Sequence, residues 1–356
     1  TMIFSAAVNG RLAEAEVLAA YINQVHRTNW IVGFTQEPYY FYEPSSSAYD
    51  ATSNTYALNT NIRRFVIRDM FGTAAYPFSQ FSRVEFSLHA VAISDATLQI
   101  QDIYATAPGC VGCGYGLVGE NVNTLGGVTN AYAQPSAALV HDNALFGWVG
   151  PLAGSRWRFE VAPTLGSWKF TSVTADWRHY FLFRPFSLAV RGLYFGRTGR
   201  DAGRFPTFLG STALMTGYTA GSFQQNECVA AVTSKSQTGC AELDQLIGSQ
   251  VAVANVELRF PLTRALVLGV LPVGFPPLEG AFFYDAGVAF DNFSQLKWTR
   301  TASESPDDVR IPLRSYGFGI RANLFGIVIM RIDYTKPLNR PNNSHAYWTL
   351  SLGPTF

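Results

Sequence analysis

No apolar run in this sequence is long enough to cross a bilayer as a helix. The closest approach, ALVLGVLPVGFPPL over 265–278, is broken by Pro272, Pro276 and Pro277, whereas a spanning helix needs about 20 apolar residues. A helical membrane protein is thereby excluded. Charge is also scarce: Asp, Glu, Lys and Arg make up 14% of the 356 residues, against about 25% in soluble domains. The net charge is +1 with no basic block, so nucleic acid is not indicated as a partner. The five histidines, His26, His89, His141, His179 and His345, are scattered without ligand spacing. No serine stands in a Gly-x-Ser-x-Gly context, so neither an enzyme nor a cofactor is expected. The opening TMIFSAAVNG lacks the charged start and long apolar core of a secretion signal, and reads as a mature form or the tail of a longer polypeptide.

What is abundant is aromatic: 27 Phe and 17 Tyr, spread through short alternating segments. The last thirteen residues, SHAYWTLSLGPTF, set the pattern. Trp348, Leu350, Leu352, Pro354 and Phe356 alternate with Thr349, Ser351, Gly353 and Thr355, a period-2 strand with one apolar face that ends on an aromatic residue. In SRWRFEV, Trp157, Phe159 and Val161 oppose Arg156, Arg158 and Glu160. Further on, Val256, Leu258 and Phe260 oppose Asn255, Glu257 and Arg259, and Phe282, Tyr284 and Ala286 oppose Phe283 and Asp285. A lipid-facing apolar side and a polar lumen side are what a transmembrane antiparallel β-barrel requires. The fold class expected is therefore all-β: one outer-membrane barrel over 1–356, in contact with outer-membrane lipid.

Alternation and turn chemistry give about fifteen strands. Among them are 2–8, 12–24, 57–72, 79–94, 97–107, 134–147 and a closing strand at 344–356. Single-chain bacterial barrels carry even numbers, so one strand is missed or lies outside the chain. Two links are long, near 108–133 and 199–249, and are expected to be surface loops. Each holds a cysteine pair, Cys110 with Cys113 and Cys228 with Cys240. A four-thiolate zinc site and a redox motif are open to these residues. Two local disulfides stapling the loops are the simpler reading, and imply an oxidising compartment. By parity Glu257, Arg259, Asp285, Arg321, Arg331 and Asp333 fall on lumen faces. They form either a translocation path or a structural ion-pair network that fills the lumen, since unpaired charge in a confined space is costly.

From about residue 185 onward, five segments in a fixed order carry a resemblance. They are FLGSTALMTGY (208–218), NVELRFPL (255–262), EGAFFYDAGVAFD (279–291), RSYGFGIRANLFGIVIMRIDYTKPL (314–338) and the terminal strand. This order resembles the BamA/TamA-like outer-membrane protein superfamily, also called the bacterial surface antigen family. The resemblance implies sixteen strands, a surface loop that folds back into the lumen, and protein insertion or translocation across the outer membrane. The rival reading is a structural barrel that docks a periplasmic domain or partner complex without transport. The stretch NGRLAEAEVLAAYINQVHRTNWIVGF (9–34) resembles a subgroup that follows a periplasmic β-propeller. That implies a periplasmic domain or partner protein at the N-terminal edge, with the first strand upstream of Thr1 or on the partner. Family members that insert or export proteins carry an Arg in a Val/Leu-Arg-Gly-Phe/Tyr motif of the lumen loop. Here the matching residues are Met215, Thr216, Gly217 and Tyr218. Thr216 cannot make the charge-assisted pairing, so Arg259, Arg321 or Arg331 is expected to neutralise Glu257 and Asp285.

Overall fold

The computed structural model describes residues 1–7, 15–42, 46–50, 55–105, 116–263, 266–267, 274–275, 277–301, 303–324, 328–342 and 345–353. Strands dominate. Fourteen follow one another in chain order, each hydrogen-bonded to the next. They are β1 (Met2–Ala7), β2 (Glu16–Asn23), β3 (Asn29–Tyr42), β4 (Thr55–Pro77), β5 (Ser82–Ala105), β6 (Gly116–Asp142) and β7 (Pro151–Gly166). The series continues with β8 (Phe170–Phe183), β9 (Phe186–Thr198), β10 (Gln250–Pro261), β11 (Leu278–Phe290), β12 (Leu313–Leu324), β13 (Val328–Pro337) and β14 (Tyr347–Leu352). Two short strands, Ser46–Asp50 and Leu145–Phe146, pair with β4 and β7 off this path and bring the sheet to sixteen strands. An order that follows the sequence is the arrangement short turns permit; Arg184-Pro185 makes one such turn, between β8 and β9.

The chain divides into two compact units, one of residues 1–76, 86–135 and 164–168, the other of residues 77–85, 136–163 and 169–356. In the first, β1 pairs with β2, β2 with β3 and β3 with β4, all antiparallel. In the second, β8 to β14 form an unbroken antiparallel run. Its register lines up Leu188, Leu258, Phe282, Phe318, Tyr334 and Trp348 in one row across six strands. Phe318, Tyr334 and Trp348 touch one another, with ring centroids 5.0–5.9 Å apart.

Burial in this second unit is the reverse of a soluble sheet. Phe282, Tyr284, Tyr316, Phe318, Trp348 and Leu350 are exposed, while Glu257, Arg259 and Arg321 are at most 1% exposed. In water this distribution would be costly on both faces. It is the one expected where hydrocarbon bathes the apolar face.

Two sequence expectations are corrected, and a third is described only in part. The strands 79–94 and 97–107 are one strand, β5. Asp95 lies within it and pairs with Arg63 of β4 at 2.7 Å. The loop expected at 108–133 is shorter, because β6 begins at Gly116. Its glycines resemble loop chemistry, yet a ladder bonds through backbone groups and tolerates them. The closing strand is described over Tyr347–Leu352 rather than 344–356; Trp348, Leu350 and Leu352 lie on it, and Phe356 lies outside the described residues.

Candidate functional site

Between β9 and β10 the chain makes a long excursion over 199–249. Its neck is a two-stranded ladder, Thr207 opposite Gly248 and Phe208 opposite Ile247. Beyond the neck the segment packs against the inner, polar-parity side of β9 to β12. Leu209, Met215, Tyr218 and Leu246 of the loop cluster with Leu193, Val251, Val253, Ala289 and Leu313 of the strands. Here the alternation changes character: Val251 and Val253 share parity with Asn255 and Glu257, but the loop covers them, so they are apolar.

The motif Met215–Tyr218 is buried throughout this interface. Its backbone is held by side chains of the sheet. Thr216 N–H donates to Asp285 Oδ2 at 3.0 Å, and Ser315 Oγ donates to the Thr216 carbonyl at 2.6 Å. Asn255 Nδ2 donates to the Leu214 carbonyl at 3.0 Å and to Asp285 Oδ1 at 2.8 Å. Gly217 has φ +91°, and a Cβ there would lie 2.7 Å from Thr335 Cγ2; only glycine fits that conformation and that approach. Tyr218 O–H donates to the Arg314 carbonyl at 3.0 Å and accepts from Asn339 N–H. Burial pushes its phenol up to about 12, although these backbone bonds act the other way.

Next to the loop lies the charge cluster. Glu257 accepts from Arg259 Nη2 at 2.7 Å and from Arg321 Nη2 at 2.5 Å, with Arg331 Nη1 at 3.5 Å. Arg331 also pairs with Asp333 at 2.5 Å and stacks over Phe283, 5.3 Å from the ring centre. Room for three guanidiniums comes from small neighbours: Arg259 faces Ala281 in the register, which faces Gly319, which faces Asp333. The structure thus joins Glu257, Arg259, Arg321, Arg331 and Asp333. Asp285 stands apart: Asn255 and the Thr216 backbone meet its carboxylate, rather than the arginines the sequence suggested. Glu279, 4.0 Å from Arg321, is an additional member.

Sequence reasoning missed a buried ion pair that ties the loop down. Arg340, in the link between β13 and β14, holds Glu227 of the loop, with both side chains at most 1% exposed. The same guanidinium donates to Ser222 Oγ at 2.8 Å and to the Ser222 carbonyl at 2.6 Å. It also stacks on Phe223 at 4.1 Å. Asn342 Nδ2 donates to the Asn226 carbonyl, and Tyr347 O–H to Ser222 Oγ. No periodicity marks a single Arg in a turn; its only signal is an arginine isolated among polar residues near Pro341.

Cys228 and Cys240 form a disulfide. Glu242 lies near enough to complete a three-ligand metal group, but sulfurs bonded to each other are not thiolate ligands, and the four-thiolate zinc arrangement is excluded. Glu242 instead accepts from the backbone N–H of Val229 and Ala230. Cys110 and Cys113 lie outside the described residues.

Comparison with known proteins gives three results. The family model described as the Omp85 superfamily domain matches residues 140–356. Among solved structures, BamA from Haemophilus ducreyi lacking POTRA domains 1–3 is similar at TM-score 0.46 and 10% identity, over 99% of this chain and 75% of that chain. CdiB from Acinetobacter baumannii is similar at TM-score 0.38 and 10% identity, over 95% of this chain and 55% of that one. No curated protein matches the sequence.

Proposed function

Because this chain belongs to the Omp85 superfamily and is thereby a β-barrel protein of the bacterial outer membrane, we propose that it is a gated barrel acting in protein insertion or translocation across that membrane. In this reading 199–249 is the gate, seated on the lumen face. β14, at the end of the strand order, is the edge that pairs with incoming strands. A periplasmic domain or partner protein engages the other edge, near β1.

One observation carries the reading. The loop is held by a largely buried interface that belongs to the polar face of β10 to β13 and to the link before β14, with Arg340 on Glu227 as its anchor. A surface loop with no internal role has no need of buried partners on so many strands. The six charged residues of the cluster are proposed to brace the wall against which the gate closes. The Met215–Tyr218 motif supplies the contact, with Thr216 held through its backbone. The proposed role of Trp348, Leu350 and Leu352 is to hold β14 in the lipid.

Planar-bilayer conductance of the reconstituted chain, with and without deletion of 199–249, tests this. A closed intact chain and a large stable pore after deletion support the gate. If neither form conducts, side chains fill the lumen and a docking barrel without transport replaces the proposal.

A further inference from the structure

A cavity of about 490 Å³ opens on the polar face of the second unit, beside the docked loop. Six guanidiniums line it, from Arg83, Arg156, Arg158, Arg178, Arg191 and Arg331. Asp176 is the one carboxylate in that lining. Further acids engage these arginines without lining the cavity, Glu257 and Asp333 on Arg331 among them. Glu85 accepts from Arg83 Nε and Arg158 Nη1, both at 2.6 Å. Glu160 takes Arg158 at 2.6 Å, and Asp142 takes Arg156 Nε at 3.4 Å. These contacts orient the planar groups and leave donors over. Among the described residues the Nη groups of Arg83 and Arg156 make no hydrogen bond, and their side chains are 42% and 52% exposed. A guanidinium fork matches a phosphoryl or carboxylate group in two parallel bonds, and a cavity of this volume accommodates a small organic ligand.

Val140 and Trp157 of the sheet and two residues of the 199–249 loop complete the lining. Thr212 and Ala213 of the loop line the cavity, and Arg191 Nη1 donates to the Ala213 carbonyl at 2.8 Å. Arg191 also engages Asp176 at 3.1 Å, so one side chain belongs to both the cavity and the loop anchorage. Thr212 and Ala213 give the loop a share of the cavity's lining, which is lost if the loop leaves.

We propose that this cavity binds a soluble phosphate-bearing anion, and that bound anion holds the loop in its docked position. The second half follows by linkage, since a ligand that binds one of two states stabilises that state.

The test uses the full chain in a phosphate-free maltoside detergent, with pyrophosphate as the probe and ionic strength held constant with chloride. Phosphorus NMR line broadening reads binding, and limited proteolysis within 199–249 reads the loop. The expected result is saturable broadening, with loop cleavage slowed over the same concentration range. Arg83→Gln combined with Arg156→Gln should weaken binding by about tenfold, while Lys297→Gln, outside the cavity, leaves it unchanged. Should the double variant fail to assemble, Thr212→Glu adds a carboxylate to the cavity without removing an arginine and should give the same loss. Non-saturable broadening, or affinity unchanged in both cavity variants, overturns the site. Saturable binding with no effect on loop cleavage overturns the coupling.

Discussion

Arg340 grips Glu227 through two parallel bonds, Nε to Oε2 at 2.7 Å and Nη2 to Oε1 at 2.6 Å, across 113 residues of sequence. Removing one partner of a buried pair leaves the other charge uncompensated, at a cost of about 3–5 kcal/mol. Arg340→Gln is therefore expected to release the loop. Cleavage within 199–249 should rise many-fold while the strand content of the sheet, read by circular dichroism, stays constant. The doubly exchanged protein, Arg340→Glu with Glu227→Arg, should recover part of the protection; no recovery would mean that the pair does not act through its charge.

Placing an arginine at residue 216 should weaken the loop rather than strengthen it. Arg331 Nη2 already lies 3.5 Å from Thr216 Oγ1, and Thr216 is 2% exposed. Thr216→Arg would push a second guanidinium against the first in a packed space, and overpacking alone costs about 1–3 kcal/mol. Faster proteolysis of the loop is the expected outcome. Slower proteolysis would show that Glu257 or Asp285 can still accept a loop cation.

Gly217→Ala tests the close approach separately from charge. A left-handed φ and a Cβ 2.7 Å from Thr335 both penalise alanine, by about 1 kcal/mol for the conformation alone. Hydrogen exchange at the Thr216 amide, which Asp285 holds in the native protein, should accelerate. Protection at the level of the unaltered chain would mean that the loop has slack at this point.

Alkaline pH should undock the loop through Tyr218. Its phenol ionises at about 12 when buried, against 10.0 for the ordinary residue. The folded state thus holds the proton more tightly than the unfolded one, and ∂ΔG/∂pH is negative between those values. Docking is at full strength below pH 10, weakens through that interval, and has lost this contribution above the folded value. Tyr218→Phe should abolish the slope. A tyrosinate titration lacking a late-ionising residue would contradict the assignment.

Opening the Cys228–Cys240 disulfide should loosen the outer part of the loop only. The bridge closes a stretch with a sequence separation of 12, and closing a loop of that size contributes about 3 kcal/mol by chain entropy. Cys228→Ser with Cys240→Ser is expected to raise cleavage near 229–239, while the amides of Met215 and Thr216 keep their protection. Loss of protection at both places would show that the bridge organises the whole loop.

The strand faces were legible because a period of two is a property of consecutive residues. Leu258 and Phe282 announce the exposed side, Glu257 and Arg259 the buried one, and the register follows once neighbouring strands must match. The neck-to-tip course of 199–249 was legible only as a resemblance, since its cluster residues Leu209, Met215 and Leu246 follow no period. Arg340 and Glu227 were not legible. Each lies in irregular structure, and what makes them a pair is burial, which is a property of the assembled protein. Asp285 shows the same limit: parity placed its side chain on the correct face, but its partners are an amide side chain and a backbone N–H that no charge-pairing rule would select.

The ladder at the loop's neck has a mechanical consequence. Thr207 and Phe208 are bonded to Gly248 and Ile247, and within the loop the Asp244 carboxylate is tied to Ser236, Gln237 and Thr238. Those bonds are internal, so they travel with the loop if it swings away. Undocking then exchanges one outer surface for another without melting the segment, and little chain entropy is released to drive it. Such an element moves as a hinged stopper, either seated or clear, instead of fraying open by degrees.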